Sequence, residues 1–223
     1  MDSVFKVTLH GGFRIKRTRG LRLALGHGLL LLVLTCATAF ADGLKPTPPP
    51  PSSAAADPTA APLSSKSIYQ LDVSFTTDEG RPFSLRELRG EPVVLTLFYT
   101  SCQAACPRMV EEMQRIEAAL PEKAAQHTHF VLITFDPETD TVAALKAYRT
   151  ARRLDARWIL ARGSTEDVRM LAMTLGIQYK QEGAMFAHSN LISILNREGE
   201  LSFQHSGFSE KIDEFLSALQ SAK

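Results

Sequence analysis

The period of the apolar positions changes repeatedly along the chain, and each change predicts an element. Val93 to Tyr99 is short, β-branched and aromatic, the pattern of a strand buried on both faces. Beyond it Met109, Val110, Met113, Ile116 and Leu120 recur at helical spacing, with Pro107 suited to the first helical position and the helix running to about Leu120. Ile68 to Phe75 alternates in part and reads as a strand, and Thr77 to Gly80 turns the chain into a short extended piece at Pro82–Phe83. Ser84 with Glu87 fits a capping box, predicting one helical turn over Ser84 to Leu88 that Gly90 closes. His129 to Phe135 is another buried strand, after which Asp140 can cap a helix across Val142, Leu145 and Tyr148. Arg157 to Ala161 is a further strand, followed by a helix through Val168, Leu171 and Leu175 that stops at Gly176. His188 to Leu195 and Glu200 to His205, joined by the turn Asn196 to Gly199, predict a hairpin. Ser209 then starts a last helix through Ile212, Phe215, Leu216 and Leu219.

This alternation calls for an α/β fold, a mixed sheet covered by helices on both faces, preceded by an extra N-terminal hairpin. In such sheets, sites form where parallel strands end at their carboxyl side. Cys102, Cys106 and Asp136 all fall there.

Composition divides the chain before the domain begins. Of 223 residues 44% are hydrophobic, and the formal charge is +1. Yet six basic residues and one acidic residue lie in positions 1–41, which leaves the rest at −4. A basic excess confined to the leader argues against a nucleic-acid surface. The leader itself has the order of an export signal: a basic stretch, an apolar run from Leu29 to Phe40, then small residues with Ala37-Thr38-Ala39 and Ala39-Phe40-Ala41 as cleavage sites. Residues 1–41 are therefore a signal peptide or an N-terminal membrane anchor, and both readings stay open. Cys36, inside the apolar run, reads as one more leader hydrophobe. Residues 42–67, rich in Pro and Ala, read as a semi-rigid linker, and residues 68–223 as the folded domain. Export puts that domain in a periplasm-like compartment where disulfides persist.

Chemistry concentrates at Phe98-Tyr99-Thr100-Ser101-Cys102-Gln103-Ala104-Ala105-Cys106-Pro107, where a strand ends in a two-thiol loop that feeds a helix N-terminus. The unpaired N–H groups and partial positive charge there favour thiolate, making the cysteines competent nucleophiles or metal ligands. A metal would need a further donor. His10 and His27 belong to the leader, and the His127/His129 pair precedes a strand parallel to 93–99, hence sits at the opposite end of the sheet. If the strand opened by His188 runs antiparallel, its beginning lies beside the cysteine loop. His205, at the close of the hairpin, is the weaker candidate. Met109, Met113 and Met185 read as core packing. Two thiolates and an imidazole form a soft, low-coordinate set suited to Cu(I), while structural zinc would want a fourth ligand that is not evident.

The cysteine motif resembles the F-x-Y/F-T-x-C-P-x-x-C-P motif of the Sco/SenC family of thioredoxin-like copper proteins. Asp136-Pro137-Glu138-Thr139-Asp140-Thr141 is similar to that family's D-P-x-x-D-T segment, and His188-Ser189 to its late H-S pair. The resemblance implies a thioredoxin-like domain that binds copper through Cys102, Cys106 and His188. It also implies a usual tether by one N-terminal span and a role in assembling the dinuclear copper centre of cytochrome c oxidase. The copper-site subunit of that oxidase, a periplasmic thiol reductant and, through the N-terminal segment, the membrane are the partners expected. One departure matters: Gln103 stands where the family usually has proline, so the loop should be less preorganised and bind copper more weakly or exchange it faster, without losing the site. Asp136 takes no ligand role from the resemblance; an Asx turn before Pro137 and a supporting role near the thiols remain equal readings.

A metallochaperone is the leading class. The competing one is a thiol–disulfide oxidoreductase or peroxidase with Cys102 as nucleophile and Cys106 as resolving thiol. Against the latter as sole role stand the C-x-x-x-C spacing and the absence of a proline in Phe186-Ala187-His188. A structural module with a vestigial disulfide is the third class. At helical i,i+4 spacing Cβ atoms lie about 5–6 Å apart, more than the roughly 3.5–4.5 Å of a disulfide, so the loop must rearrange to oxidise.

Overall fold

The structure is a computed structural model that describes residues 62–183, 185–208 and 211–222. The predicted leader with Cys36, most of the linker, and Ser209 lie outside the described residues. No helix among them is long and apolar enough to cross a membrane.

Residues 62–67, read above as the end of the linker, are tied into the fold. Leu63 packs against the core, the Ser67 hydroxyl donates to the Glu198 carbonyl, and Ser67 bridges Glu200. The strand expected over 68–75 is instead a 3₁₀ turn at Ile68–Gln70, because the Ser67 side chain accepts the Tyr69 N–H and caps it. Strand pairing begins only with β1 (Phe75–Thr77) and β2 (Pro82–Phe83), which form the expected N-terminal hairpin. The Ser84–Glu87 capping box is formed in both directions and holds a second 3₁₀ turn, Leu85–Leu88.

Next comes β3 (Val93–Phe98), every residue of it buried, as an unbroken apolar run requires. Helix α1 (Ala105–Ala119) and the short α2 (Glu122–Gln126) lead to β4 (His129–Thr134), which lies parallel to β3 in the register Val93 to His129. Helix α3 (Val142–Arg152) returns the chain to β5 (Trp158–Gly163), parallel to β4. The crossovers β3-α1-β4 and β4-α3-β5 step the same way along the sheet, for which right-handed connections are the rule, and Gln114 Nε2 of α1 donates to the Arg152 carbonyl of α3 at 3.0 Å. Helix α4 (Thr165–Thr174) opens on a reciprocal Ser164–Asp167 capping box and packs against β5.

Before it rejoins the sheet the chain makes a ribbon of its own, β6 (Tyr179–Glu182) paired antiparallel with β7 (Met185–His188). Then β8 (Leu191–Leu195) pairs antiparallel with β3, β9 (Leu201–Ser206) pairs with β8, and α5 (Ile212–Ser221) packs beside α1. The seven-stranded order is β2-β1-β5-β4-β3-β8-β9. The predicted strand from His188 to Leu195 is thus two strands. Ser189 breaks it by donating its N–H to the Gln178 carbonyl at 2.8 Å, which keeps His188 in the ribbon. The consequence expected of an antiparallel strand still holds, because β8 enters beside the carboxyl end of β3.

The β8–β9 turn is packed to its limit. Gly199 has φ +75°, and a Cβ there would meet the Tyr69 ring at 2.5 Å. Gly199→Ala should therefore cost about 1–3 kcal/mol in chemical denaturation, from overpacking combined with a left-handed backbone. A loss below about 0.5 kcal/mol, the range of an ordinary surface change, would contradict that reading.

Candidate metal centre

The cysteine loop leaves the end of β3 and enters α1 two residues earlier than proline placement predicts. The N-cap position is Ala104, whose side chain caps nothing. The sulfur of Cys102 takes over that work, accepting the Cys106 N–H at 3.3 Å. Cys106 therefore lies inside the first helical turn, with Pro107 behind it. Both cysteines are free and buried, Cys102 7% exposed and Cys106 fully enclosed.

Their environments push the two thiols apart. Burial raises the Cys102 pKa, but the N–H groups of Cys106, Ala104 and Ala105 with the Cys106 thiol outweigh it and bring the group below its ordinary value. Burial dominates at Cys106 and holds that thiol well above the ordinary range; the Tyr99 N–H opposes the shift, and the adjacent Cys102 sulfur adds to it. The Cys102 sulfur therefore gives up its proton more readily than the Cys106 sulfur.

His188, the last residue of β7, brings Nε2 to 3.8 Å from the Cys106 sulfur. Its Nδ1 lies 3.2 Å from the Ser189 carbonyl, which can only accept, so Nδ1 carries the proton and Nε2 presents its lone pair to the sulfurs. The two sulfurs and a ring nitrogen lie within 4.8 Å of one another, forming among the described residues a three-donor group able to hold a metal ion.

Aromatic packing delivers His188 to that place. Tyr99 and Phe135, just past the ends of β3 and β4, meet Phe186 of β7 at 5.2 and 5.0 Å, and Tyr179 of β6 stacks on Phe135 at 17°. The His188 ring rests 5.1 Å from Phe135 and edge-on to Tyr99 at 6.1 Å. Burial keeps the Tyr99 phenol protonated against the pull of the Phe186 N–H, with the two sulfurs reinforcing the upward shift.

The other expected site residues fall elsewhere. His127 and His129 bind the two oxygens of Glu91, both at 2.8 Å, at the far end of the sheet. His205 pairs with Ile192 across β8 and β9, its ring on Phe215, outside the donor group. Met109 and Met113 are buried on α1, and the Met185 side chain lies outside the described residues. Asp136 is not in the donor group; its N–H donates to Thr134 Oγ1 at 3.0 Å. Asp140 does not cap α3. Thr141 does, through Ala144 N, and Asp140 is instead fully buried with its carboxylate on Thr100 and Thr134. Sequence reasoning missed that carboxylate and the β6–β7 ribbon, although Gly183, at φ 67° between two short runs, was a turn signal.

The family model described as SCO1/SenC matches residues 62–222. The chain belongs to the SCO1/SenC family. A Stutzerimonas stutzeri protein named "Putative copper-binding protein" is 31% identical over 142 residues, 64% of this chain and 62% of that one, so this chain spans less than two thirds of its length. Two solved structures share the fold. Arabidopsis thaliana ScoI with copper bound has a TM-score of 0.60 at 20% identity, over 67% of this chain and 94% of that one. BsSco, described as a member of the Sco family of cytochrome c oxidase assembly proteins and as containing a disulfide switch, has a TM-score of 0.59 at 24% identity, over 67% and 90%. The fold is the thioredoxin-like one of these SCO1/SenC proteins.

Divergent thiols make a chemical prediction. In reduced, metal-free protein, iodoacetamide should modify Cys102 before Cys106, with a rate–pH midpoint below that of an ordinary thiol, because a lowered pKa populates thiolate at lower pH. Peptide mass spectrometry resolves the order; equal rates at the two cysteines would refute it.

Proposed function

We propose that this protein binds a single copper ion through Cys102, Cys106 and His188 and delivers it during assembly of the dinuclear copper centre of cytochrome c oxidase. One observation carries the proposal: two sulfurs and a lone-pair nitrogen converge within 4.8 Å at the carboxyl end of a parallel sheet. Such a donor set suits Cu(I), which accepts low coordination and soft ligands. The positive end of α1 offsets part of the negative charge left by two thiolates on a monovalent ion. Membership of the SCO1/SenC family, the copper named in the Stutzerimonas relative and seen in the Arabidopsis structure, and the assembly role stated for BsSco support the same reading.

The cysteines also make the site switchable. Exchange with a partner disulfide, which leaves as the dithiol carrying the two electrons and two protons, joins their sulfurs and withdraws both donors from copper. A partner dithiol restores them by becoming a disulfide itself. In this reading the partners are the copper-site subunit of the oxidase and a periplasmic thiol reductant, with the N-terminal segment serving as leader or membrane tether. A second reading, thiol–disulfide exchange on the cysteines of a copper-site partner, draws on the same asymmetry, a more readily ionised thiol at Cys102 backed by a buried one at Cys106.

Cu(I) titration of reduced protein against a chromophoric chelator, with insulin reduction followed in parallel, separates the two. Delivery predicts one equivalent of copper in the wild type, weakened about 100-fold or more by His188→Ala through loss of a ligand. Reductase activity indifferent to His188, with no copper held, would replace delivery by redox exchange.

A further inference from the structure

The loop that carries Cys102 is fixed from behind by a buried carboxylate. Asp140 is fully enclosed, and its Oδ2 accepts the Thr100 N–H at 3.0 Å and the Thr134 hydroxyl at 2.5 Å. Its Oδ1 accepts the Thr100 hydroxyl. The Thr134 hydroxyl in turn receives the Asp136 N–H at 3.0 Å, and the Asp140 N–H donates to the Asp136 carbonyl at 2.9 Å. Asp140 thereby joins the chain just past β3, the last residue of β4 and the turn before α3. Every partner donates, which is the acceptor pattern of a carboxylate with both oxygens in use.

The Thr100 N–H belongs to the peptide group whose carbonyl is that of Tyr99, and the two ends of a planar trans peptide point in opposite directions. On the far side from Asp140, the Tyr99 carbonyl accepts the Cys102 N–H at 3.3 Å. A charged acceptor on the N–H of a peptide polarises it and strengthens what its carbonyl accepts. The path from carboxylate to cysteine backbone is one peptide long.

We propose that Asp140 is the positioning residue of the site: it orients the Tyr99–Thr100 peptide and so sets where the Cys102 sulfur stands relative to Cys106 and His188. The proposal rests on the copper reading for its consequence, but the geometry it describes belongs to the metal-free protein as well. Without the carboxylate, the Thr100 N–H and two hydroxyls lose a buried acceptor, and the loop turns to find others. Cys102 then departs from the place where three donors converge. The same freedom lets the two sulfurs close to bonding distance, which the held loop resists.

The test uses the full chain, with Asp140→Ala and Asp140→Asn, in two readouts. The first is Cu(I) affinity in competition with bicinchoninate. The second is the equilibrium of the metal-free Cys102–Cys106 pair with glutathione, followed by mass spectrometry. Asp140→Ala should weaken Cu(I) binding about 10- to 100-fold, the usual effect of losing a group that orients a ligand. It should also move the glutathione equilibrium toward the disulfide, on the order of tenfold. Asp140→Asn keeps an oxygen for the Thr100 N–H and should stay within about threefold of wild type in both readouts, a rescue that a role in bulk stability alone would not give. A folded Asp140→Ala with wild-type copper affinity and wild-type dithiol equilibrium overturns the proposal. Should Asp140→Ala fail to fold, Thr100→Val decides: a several-fold loss in both readouts supports the assignment, and unchanged values overturn it. If the wild type itself holds no copper, the delivery reading falls, and the glutathione equilibrium still judges Asp140.

Discussion

The first turn of α1 has no oxygen to cap it, and a sulfur takes that place. The N–H groups that open a helix need an acceptor; Ala104 offers none, and the Cys102 sulfur accepts the Cys106 N–H instead. That substitution explains both why the helix begins before its proline and why Cys102, which accepts the helix N–H groups, ionises more easily than the fully enclosed Cys106. It also ties metal binding to the fold. In the proposed copper site, an ion seated at Cys102 would draw on electron density that the helix terminus is already stabilising, making ligand and cap one atom.

Around that atom the architecture supplies position rather than chemistry. Parallel strands β3 and β4 end together and place the cysteine loop beside Phe135. Antiparallel β8 enters at the same end, and the β6–β7 ribbon that precedes it holds His188 over the loop by aromatic contact with Tyr99 and Phe135. The third donor thus rides on a ribbon outside the main sheet. In the proposed delivery role such an arrangement is useful, since separation of ribbon and loop would remove a ligand without unfolding either.

What the sequence disclosed and what it hid divide along physical lines. Buried strands such as Val93–Phe98 and His129–Thr134 were legible because an unbroken apolar run has few other uses, and the Ser84 and Ser164 boxes because a cap is a local signal. A conditional reading of strand direction, together with the Sco/SenC resemblance, pointed to Cys102, Cys106 and His188 as neighbours, although His188 lies on the ribbon and not on the strand that joins the sheet. The β6–β7 ribbon was hidden because Tyr179 to Glu182 is mostly polar and exposed, and its order comes from aromatic partners far along the chain. Asp140 was misread by one residue for a related reason. An acidic residue before a threonine and an apolar run looks like a cap, while the Thr100 donors that claim it lie 40 positions away. Local rules read local forces; the groups that aim this site act across the fold.

In the proposed function, copper sits on two sulfurs and one imidazole nitrogen of this chain. Copper-edge X-ray absorption on the reduced, Cu(I)-loaded protein measures that coordination directly. Two sulfur neighbours and one nitrogen are expected, with the nitrogen absent when His188 is replaced. A shell of sulfur alone in the wild type, or a nitrogen neighbour that survives loss of His188, would contradict it.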